Sequence, residues 1–274
     1  MATRFTVLAS RNNPRLKLLA ALADSAHARR EHGQTLLDGV HLLDCALAAK
    51  VPLLEVCVSE SGRSRAEIAT LLARLPEKQV PVCVPDALFA HISPVDTPTG
   101  ILASIVLPVS VQPQANEPSV VVLDAIQDPG NLGAILRTAA AAGIEAVWLL
   151  PGCAQAWSPK VLRAGMGAHF RLRISEQADA LAGLGGYGGK VVATGVGVTA
   201  LTLFDADLRG PLAWLFGAEG QGVSPTLLAR ADEIVTIPMA AGIESLNVGA
   251  AAAVCLFEQL RQCRWPDRRG NGET

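Results

Sequence analysis

The sequence predicts an α/β protein in two parts, a small α/β domain over residues 1–107 and a larger one over 119–274 whose mostly parallel sheet carries helices on both faces. Two observations predict it. Short apolar runs bounded by Gly, Pro or Asp alternate with stretches of helical period, the pattern of buried parallel strands joined by crossover helices. A polar stretch punctuated by proline, Pro108-Val-Ser-Val-Gln-Pro-Gln-Ala-Asn-Glu-Pro118, then interrupts the alternation. It cannot continue a helix and has little apolar surface to pack, so residues 108–118 are expected to be a linker.

Before the linker, Thr35 to Asp38 reads as a strand, Val40 to Ala49 as a helix, Leu53 to Val58 as a strand and Arg65 to Leu75 as a helix. Val80 to Val84 and Gly100 to Val106 read as further strands, with a short helix near Ala87. After the linker, Val120 to Leu123, Ala146 to Leu150, Lys190 to Thr194, Leu212 to Phe216 and Ile234 to Ile237 are apolar and short, as buried strands are. Helical patterns fall at Leu132 to Ala142, Lys160 to Ala168, Pro225 to Ala231 and Val248 to Arg261. Gly143 stands where a C-terminal helix cap belongs, and the polar tail after Trp265 reads as disordered.

Composition narrows the function classes. The chain has 274 residues, half of them hydrophobic and 18% charged, which excludes disorder, coiled coil and collagen as its main state. Its mean hydropathy of +0.33 places the excess apolar surface in a core or a subunit interface. Arg137 and Glu145 interrupt the richest apolar stretch, Leu132 to Leu150, so no membrane span is expected. Met1 to Asn13 lacks the apolar core of a signal peptide, and the expected location is cytoplasmic. Six cysteines without a CxxC pair read as buried thiols in a reducing compartment, and five histidines without HExxH or His-x-His spacing predict no metal. A net charge of −2 argues mildly against a nucleic-acid partner. Residues 1–30, however, set Arg4, Arg11, Arg15, Lys17, Arg29 and Arg30 against Asp24 alone, either a phosphate-binding arm or a solvated helix face.

In an open α/β sheet ligands bind beyond the carboxyl ends of the strands. Three strand exits in the second domain carry unusual residues: Leu123-Asp-Ala-Ile-Gln-Asp-Pro-Gly-Asn-Leu-Gly-Ala-Ile-Leu-Arg137, the glycine-rich Phe216-Gly-Ala-Glu-Gly-Gln-Gly-Val-Ser224 around one acid, and the long polar loop Ile237 to Val248 entering the last helix. Taken singly, each has a plain structural explanation: Asn131 and Asn247 make good N-caps, the glycines suit tight turns, and Arg137 suits a helix surface. Three such loops in one domain favour a site. A fourth feature, Ala193-Thr-Gly-Val-Gly-Val-Thr-Ala200, matches Gly-x-Gly-x-x-Ala, but no helix pattern follows to hold a pyrophosphate.

These segments resemble the three motifs of the SpoU (TrmH) family of SPOUT RNA methyltransferases: Asn131-Leu-Gly-Ala-Ile-Leu-Arg137, Gly217-Ala-Glu219-Gly-Gln-Gly222, and Ile237-Pro-Met with Ser245-Leu-Asn247-Val. Ser158-Pro-Lys-Val-Leu-Arg-Ala-Gly-Met-Gly-Ala168 extends the likeness. Ser10-Arg-Asn-Asn-Pro-Arg and Leu37-Asp-Gly-Val-His-Leu-Leu43 resemble the ribosomal-protein-L30e-like substrate-binding domain that often precedes SpoU domains. Gly165 and Gly249 depart from the family by occupying serine places.

The resemblance implies an α/β-knot domain with a deep trefoil knot, a homodimer formed through it, and S-adenosylmethionine (SAM) as cofactor. The implied reaction is methylation of a ribose 2′-hydroxyl in RNA, with ribosomal RNA favoured over transfer RNA. It implies catalytic roles for Arg137, Asn131, Glu219, Ser245 and Asn247, with Glu219 expected as a structural acceptor for Asn131 or Arg137. Thr194, Gly195, Leu215, Phe216, Gly217, Ile237, Met239 and Leu246 are the implied cofactor residues. Arg11, Arg15, Lys17, Arg29, Arg30, Lys160 and Arg163 are the cations expected to meet RNA. Two other readings stay open: an oxidoreductase using Gly195 and Gly197, which lacks its helix, and an RNA-binding protein without catalysis, which has no need of Arg137 and Asn247.

Overall fold

The computed structural model describes residues 4–114, 116–195 and 200–264. In chain order its elements are β1 (Thr6–Val7), α1 (Pro14–Asp24), α2 (Ala26–His32), β2 (Gln34–Asp38), α3 (Val40–Ala48), β3 (Leu53–Ser59), α4 (Ala66–Leu72), β4 (Val82–Val84), α5 (Asp86–Ile92) and β5 (Ile101–Val106). There follow β6 (Val120–Asp124), α6 (Pro129–Ala141), β7 (Ala146–Leu149), α7 (Pro159–Gly165), β8 (Arg173–Glu176), α8 (Ala180–Gly185), β9 (Lys190–Thr194) and β10 (Leu201–Thr202). The chain continues with β11 (Leu212–Gly217), α9 (Pro225–Leu228), β12 (Glu233–Thr236) and α10 (Val248–Arg264). The last four residues of the Ala193–Ala200 segment before Ala200, and the tail expected to be disordered, lie outside the described residues.

Two compact units result, residues 1–109 with 157–170 and residues 110–156 with 171–274. The first therefore takes in α7, which the sequence pattern assigned to the second domain. Thr35 Oγ1 donates to the Trp157 carbonyl at 2.6 Å, and His41 Nε2 donates to the Met166 carbonyl at 3.2 Å. Gly167 lets the segment lie close, because a Cβ there would sit 2.6 Å from Cys45 Sγ. A helix period shows that a segment buries one face; it does not say against what.

Among the described residues the first unit holds a five-stranded sheet, β1-β4-β3-β5-β2, in which β5 runs antiparallel to β3 and β2. Its core is built by Leu16, Leu19 and Leu22 of α1 and Leu88, Phe89 and Ile92 of α5 against Leu36, Cys57, Val82 and Leu102. Sequence periodicity missed α1, although Asn13 caps it by accepting from Arg15 N at 2.9 Å and Pro14 opens its first turn. Burial pushes the thiols of Cys57 and Cys255 up to about 12, so both are inert hydrophobes.

Asp38, at the end of β2, is buried, its Oδ1 has no hydrogen-bond partner, and burial raises its pKa from 3.8 to about 6 against the opposing pull of Arg163. A carboxyl whose pKa is higher folded than unfolded favours the folded state while it is protonated. That contribution is complete below about pH 4, declines as pH rises, and is gone above about pH 6, a swing on the order of 3 kcal/mol. Asp38→Asn is therefore expected to stabilise the protein at pH 7. Urea titrations at pH 4.5 and 7 check this: a variant no more stable than wild type at pH 7 contradicts the assignment.

Among the described residues the second unit is one seven-stranded sheet, β10-β12-β9-β11-β6-β7-β8, with every pairing parallel. Alternate residues bury opposite faces. Val120, Val122, Trp148, Ala193 and Leu215 meet α8 and α9 residues such as Ala180, Leu184 and Leu227. Trp214 turns the other way, and its Nε1 donates to Gln259 of α10 at 2.8 Å. Helices thus cover both faces, as expected of a parallel sheet. The 108–118 stretch is more than a linker: Trp148 Nε1 donates to buried Glu117 at 2.9 Å, and Ser110 Oγ donates to the Glu176 carbonyl at 3.0 Å. Burial raises the Glu117 pKa, opposed by the Trp148 donor and by Arg173.

Candidate functional site

The carboxyl ends of β6, β11, β9 and β12 lie side by side, so the three loops singled out in the sequence emerge from one edge of one sheet. Their geometry begins with Asp128. It, and not Asn131, is the N-cap of α6, accepting from Asn131 N at 2.7 Å. Asn131 sits in the first turn, which leaves its side chain free to reach outward. Its Nδ2 donates to Glu219 Oε1 at 2.8 Å. Asn247 Nδ2 donates both to the same carboxylate oxygen at 2.8 Å and to Asn131 Oδ1 at 2.9 Å. Meanwhile Asn247 Oδ1 caps α10, accepting from Gly249 N at 2.9 Å and Ala250 N at 3.3 Å. One residue from each loop thus closes a hydrogen-bonded cluster, with Glu219 as its acceptor.

Backbone shape holds the middle loop in place. Gly222 N donates to the Ala218 carbonyl at 2.8 Å, folding the loop back so tightly that a Cβ on Gly217 would lie 1.9 Å from the Gly222 carbonyl carbon. The missing Cβ therefore serves the loop's own packing rather than a ligand's approach. Asp124 Oδ2 accepts from Ser224 N at 2.8 Å and pins the far end of the loop to β6.

Other expected residues fall into two groups. At the β9, β11 and β12 exits, Thr194 Oγ1 donates to the Leu215 carbonyl at 3.2 Å and Gly195 N donates to the Val235 carbonyl at 3.0 Å. Leu215 and Phe216 are fully buried, the latter stacked on Trp214, so only their backbone can face a ligand. Ile237 and Met239 are half-buried and Leu246 is exposed, three apolar side chains left uncovered at the edge of the sheet. Arg137 and Ser245 are exposed and form no hydrogen bond or ion pair with the described residues, so the fold does not join them to the cluster.

The expected RNA-facing cations also divide. Arg11, Lys17, Arg30, Lys160 and Arg163 are exposed. Arg29 is a correction: it is buried, with Nη1 donating to the Leu22 carbonyl at 2.9 Å, where it ties α2 to the end of α1. Arg15 is exposed as well, and its guanidinium forks onto Glu55 at 2.7 and 2.8 Å through Nε and Nη2, which ties part of its donor set to α1's neighbour strand.

A cavity of about 350 Å³ opens beside the cluster, lined by Ala125, Ile126, Gln127, Asp128, Asn131, Ala218, Glu219, Gln221 and Val248. Sequence reasoning quoted Gln127, Asp128 and Gln221 within its motifs without nominating them; their places beside Asn131 and Glu219 were the available signal. Among the described residues no group of three or more His, Cys, Asp or Glu converges as a metal site would, and no helix is long and apolar enough to cross a membrane.

A fully parallel sheet whose carboxyl edge presents a polar cluster, a cavity and uncovered apolar side chains defines an α/β enzyme of the open-sheet class. Residues 118–257 match the SpoU rRNA Methylase family and residues 13–103 the MRM3-like substrate binding domain. The chain belongs to the SpoU rRNA methylase family. It is 35% identical over 260 residues to an uncharacterized tRNA/rRNA methyltransferase of Synechocystis, covering 93% of each chain. It is 32% identical over 240 residues to the 23S rRNA (guanosine-2′-O-)-methyltransferase RlmB of Pseudomonas putida, covering 82% of this chain and 95% of that one. The crystal structure of an AdoMet-bound rRNA methyltransferase from Sinorhizobium meliloti superposes with a TM-score of 0.81 at 26% identity, covering 94% of this chain and 98% of that one.

Proposed function

We propose that this protein transfers a methyl group from SAM to a ribose 2′-hydroxyl of ribosomal RNA, of the 23S type. The carrying observation is the Asn131–Glu219–Asn247 cluster, which draws three loops of the sheet edge into one polar patch beside a cavity. Family membership and the names of the relatives support the reading.

The residues at the β9, β11 and β12 exits fit the cofactor. Ile237, Met239 and Leu246 are apolar surface that an adenosyl group would cover, and the backbone from Gly195 and Leu215 to Gly217 lines the same edge. When bound, SAM supplies an electrophilic methyl group on a sulfonium. The chain's part is alignment and charge. Asn131 and Asn247 orient the acceptor ribose by neutral hydrogen bonds, Ser245 adds a hydroxyl from the same loop, and Glu219 holds both amides in place. Alignment of this kind supplies up to about 7–11 kcal/mol of a barrier. Arg137 is a poor base, since a guanidinium stays charged and has no acceptor. It instead grips the phosphate next to the target ribose and stabilises charge developing on O2′, and a phosphate oxygen takes the proton.

The first unit holds the RNA through Arg11, Lys17, Arg30, Lys160 and Arg163. The protein works in the cytoplasm without a metal. The chain leaves β12 on the far side of β9 and returns to α10, which packs on α6 and β11. Residues 237–247 thus cross the strand ends, a path that supports the trefoil knot. A homodimer through the second unit is supported by exposed Ile243, Leu246 and Phe257. Sedimentation is expected to show a dimer at micromolar concentration; a monomer there contradicts it.

Calorimetry with S-adenosylhomocysteine tests the cofactor half. Binding without added metal or RNA is expected, and no heat at millimolar ligand with folded protein contradicts it. Incubation with labelled SAM and total RNA tests the substrate half: label is expected in ribosomal RNA, whereas label in transfer RNA alone sinks that assignment.

A further inference from the structure

The loop that carries Asp128 and Asn131 leaves β6 through a strained residue. Ala125 has a φ of +56°, in the left-handed region, where a residue with a side chain stays only if its surroundings hold it. What holds it is the segment that follows β7. Leu150 N donates to the Leu123 carbonyl at 3.0 Å, and Ala154 N donates to the Ile126 carbonyl at 2.8 Å. A Cβ on Gly152 would stand 3.4 Å from that of Ala125, so the turn lies directly against the strained residue.

Between those two backbone bonds sits a single thiol. Cys153 Sγ donates to the Leu123 carbonyl at 3.2 Å and accepts from Ile126 N at 3.3 Å, so it bridges the residues on either side of the bend. Ile126 is buried, and among the described residues the sulfur is the acceptor its N–H has. Burial pushes the Cys153 pKa up, against the opposing pull of the Ile126 N–H, which keeps on sulfur the proton that the bond to Leu123 needs. The thiol is half-buried, yet its donor is spent within this loop. Asp128 follows Ile126 closely and caps α6, and from the first turn of that helix Asn131 reaches Glu219. The direction in which α6 sets out therefore depends on the backbone from Leu123 to Ile126.

Resting on the methyltransferase reading above, we propose that Cys153 is a positioning residue for methyl transfer. Through its two hydrogen bonds it fixes the left-handed exit of β6, and so sets where Asn131 and Arg137 stand relative to the acceptor ribose. It touches neither substrate nor cofactor and forms no covalent bond with either. A hydroxyl in its place can donate and accept in the same way, whereas the methyls of a valine fill similar space, do neither, and leave the Ile126 N–H buried without a partner. Misplacing a reacting group by about 1 Å can cost on the order of 100-fold in rate, so a small reorientation of α6 is enough.

The test compares full-length wild type, Cys153→Ser and Cys153→Val in methylation of ribosomal RNA by SAM. The valine variant is expected to lose about 10- to 100-fold in kcat, with KM for RNA within about twofold of wild type because the cations of the first unit hold the RNA. Serine is expected to restore kcat to within about threefold of wild type with an unchanged pH profile. Affinity for S-adenosylhomocysteine should be the same in all three, since the proposed cofactor contacts lie at the β9, β11 and β12 exits. Amide hydrogen exchange at Ile126 reads the bridge independently of activity, and should be at least about tenfold faster in the valine variant than in the other two. Wild-type kcat in the valine variant, a serine variant as slow as the valine one, or equal exchange at Ile126 in all three overturns the proposal. A valine variant that loses S-adenosylhomocysteine binding along with turnover overturns it too, because the thiol is then a general support of the domain. Wild-type protein that binds S-adenosylhomocysteine and protects Ile126 but methylates no RNA sinks the functional reading itself, and the proposal with it.

Discussion

Replacing Arg137 with alanine is expected to cut single-turnover methylation by about 100- to 1,000-fold, the usual cost of removing a group that stabilises charge in a transition state. Arg137 is exposed on α6 and spends no donor within the described fold, so stability should stay within about 0.5 kcal/mol of wild type. Affinity for S-adenosylhomocysteine should also hold, because the proposed cofactor contacts lie at the β9, β11 and β12 exits. Arg137→Lys keeps a point charge but loses the planar fork, and weak activity with an unchanged pH profile is the expected result. Were Arg137 the base, the lysine variant would be active with a shifted profile, since lysine deprotonates more readily. Single-turnover rates against pH for the three proteins separate these outcomes. Wild-type rates in the alanine variant would return Arg137 to an ordinary helix surface.

Gly217→Ala is expected to have the largest effect on folding. The added Cβ would lie 1.9 Å from the Gly222 carbonyl carbon, 2.0 Å from its oxygen and 2.1 Å from Val223 N, all backbone atoms that no rotamer change can move. The loop must open, breaking the Gly222-to-Ala218 hydrogen bond and displacing Glu219 from Asn131 and Asn247. A loss of about 3–5 kcal/mol is expected, a fall in Tm on the order of 10 °C, together with loss of methyl transfer. Gly220→Ala is the control. Its φ of +86° carries strain, but a Cβ there meets no atom within 4 Å, so it should cost only about 1 kcal/mol. Equal melting temperatures for the two variants would remove the clash as the cause.

By itself the sequence determined the alternation that makes the second unit a parallel α/β sheet, because a strand buried on both faces must be apolar throughout. Val120–Asp124 and Leu212–Gly217 could be found on that ground. It also marked the three loops, since the rule that ligands gather at strand carboxyl ends needs only element order. Short elements escaped it. Arg173–Glu176 has Ile174 as its one apolar residue and becomes a strand through its pairing with β7, and Leu201–Thr202 through its pairing with β12. Asn131 could be read only as a cap, and the tertiary structure decided otherwise: Asp128 takes that role, which frees Asn131 to meet Glu219 and Asn247 from 88 and 116 residues away along the chain. Burial of Arg29, pairing of Arg15 with Glu55 and attachment of α7 to the first unit were decided the same way. Each turns on which surfaces meet after the chain folds back. Local composition sets the period and polarity of a segment, while its partner is set by long-range contacts.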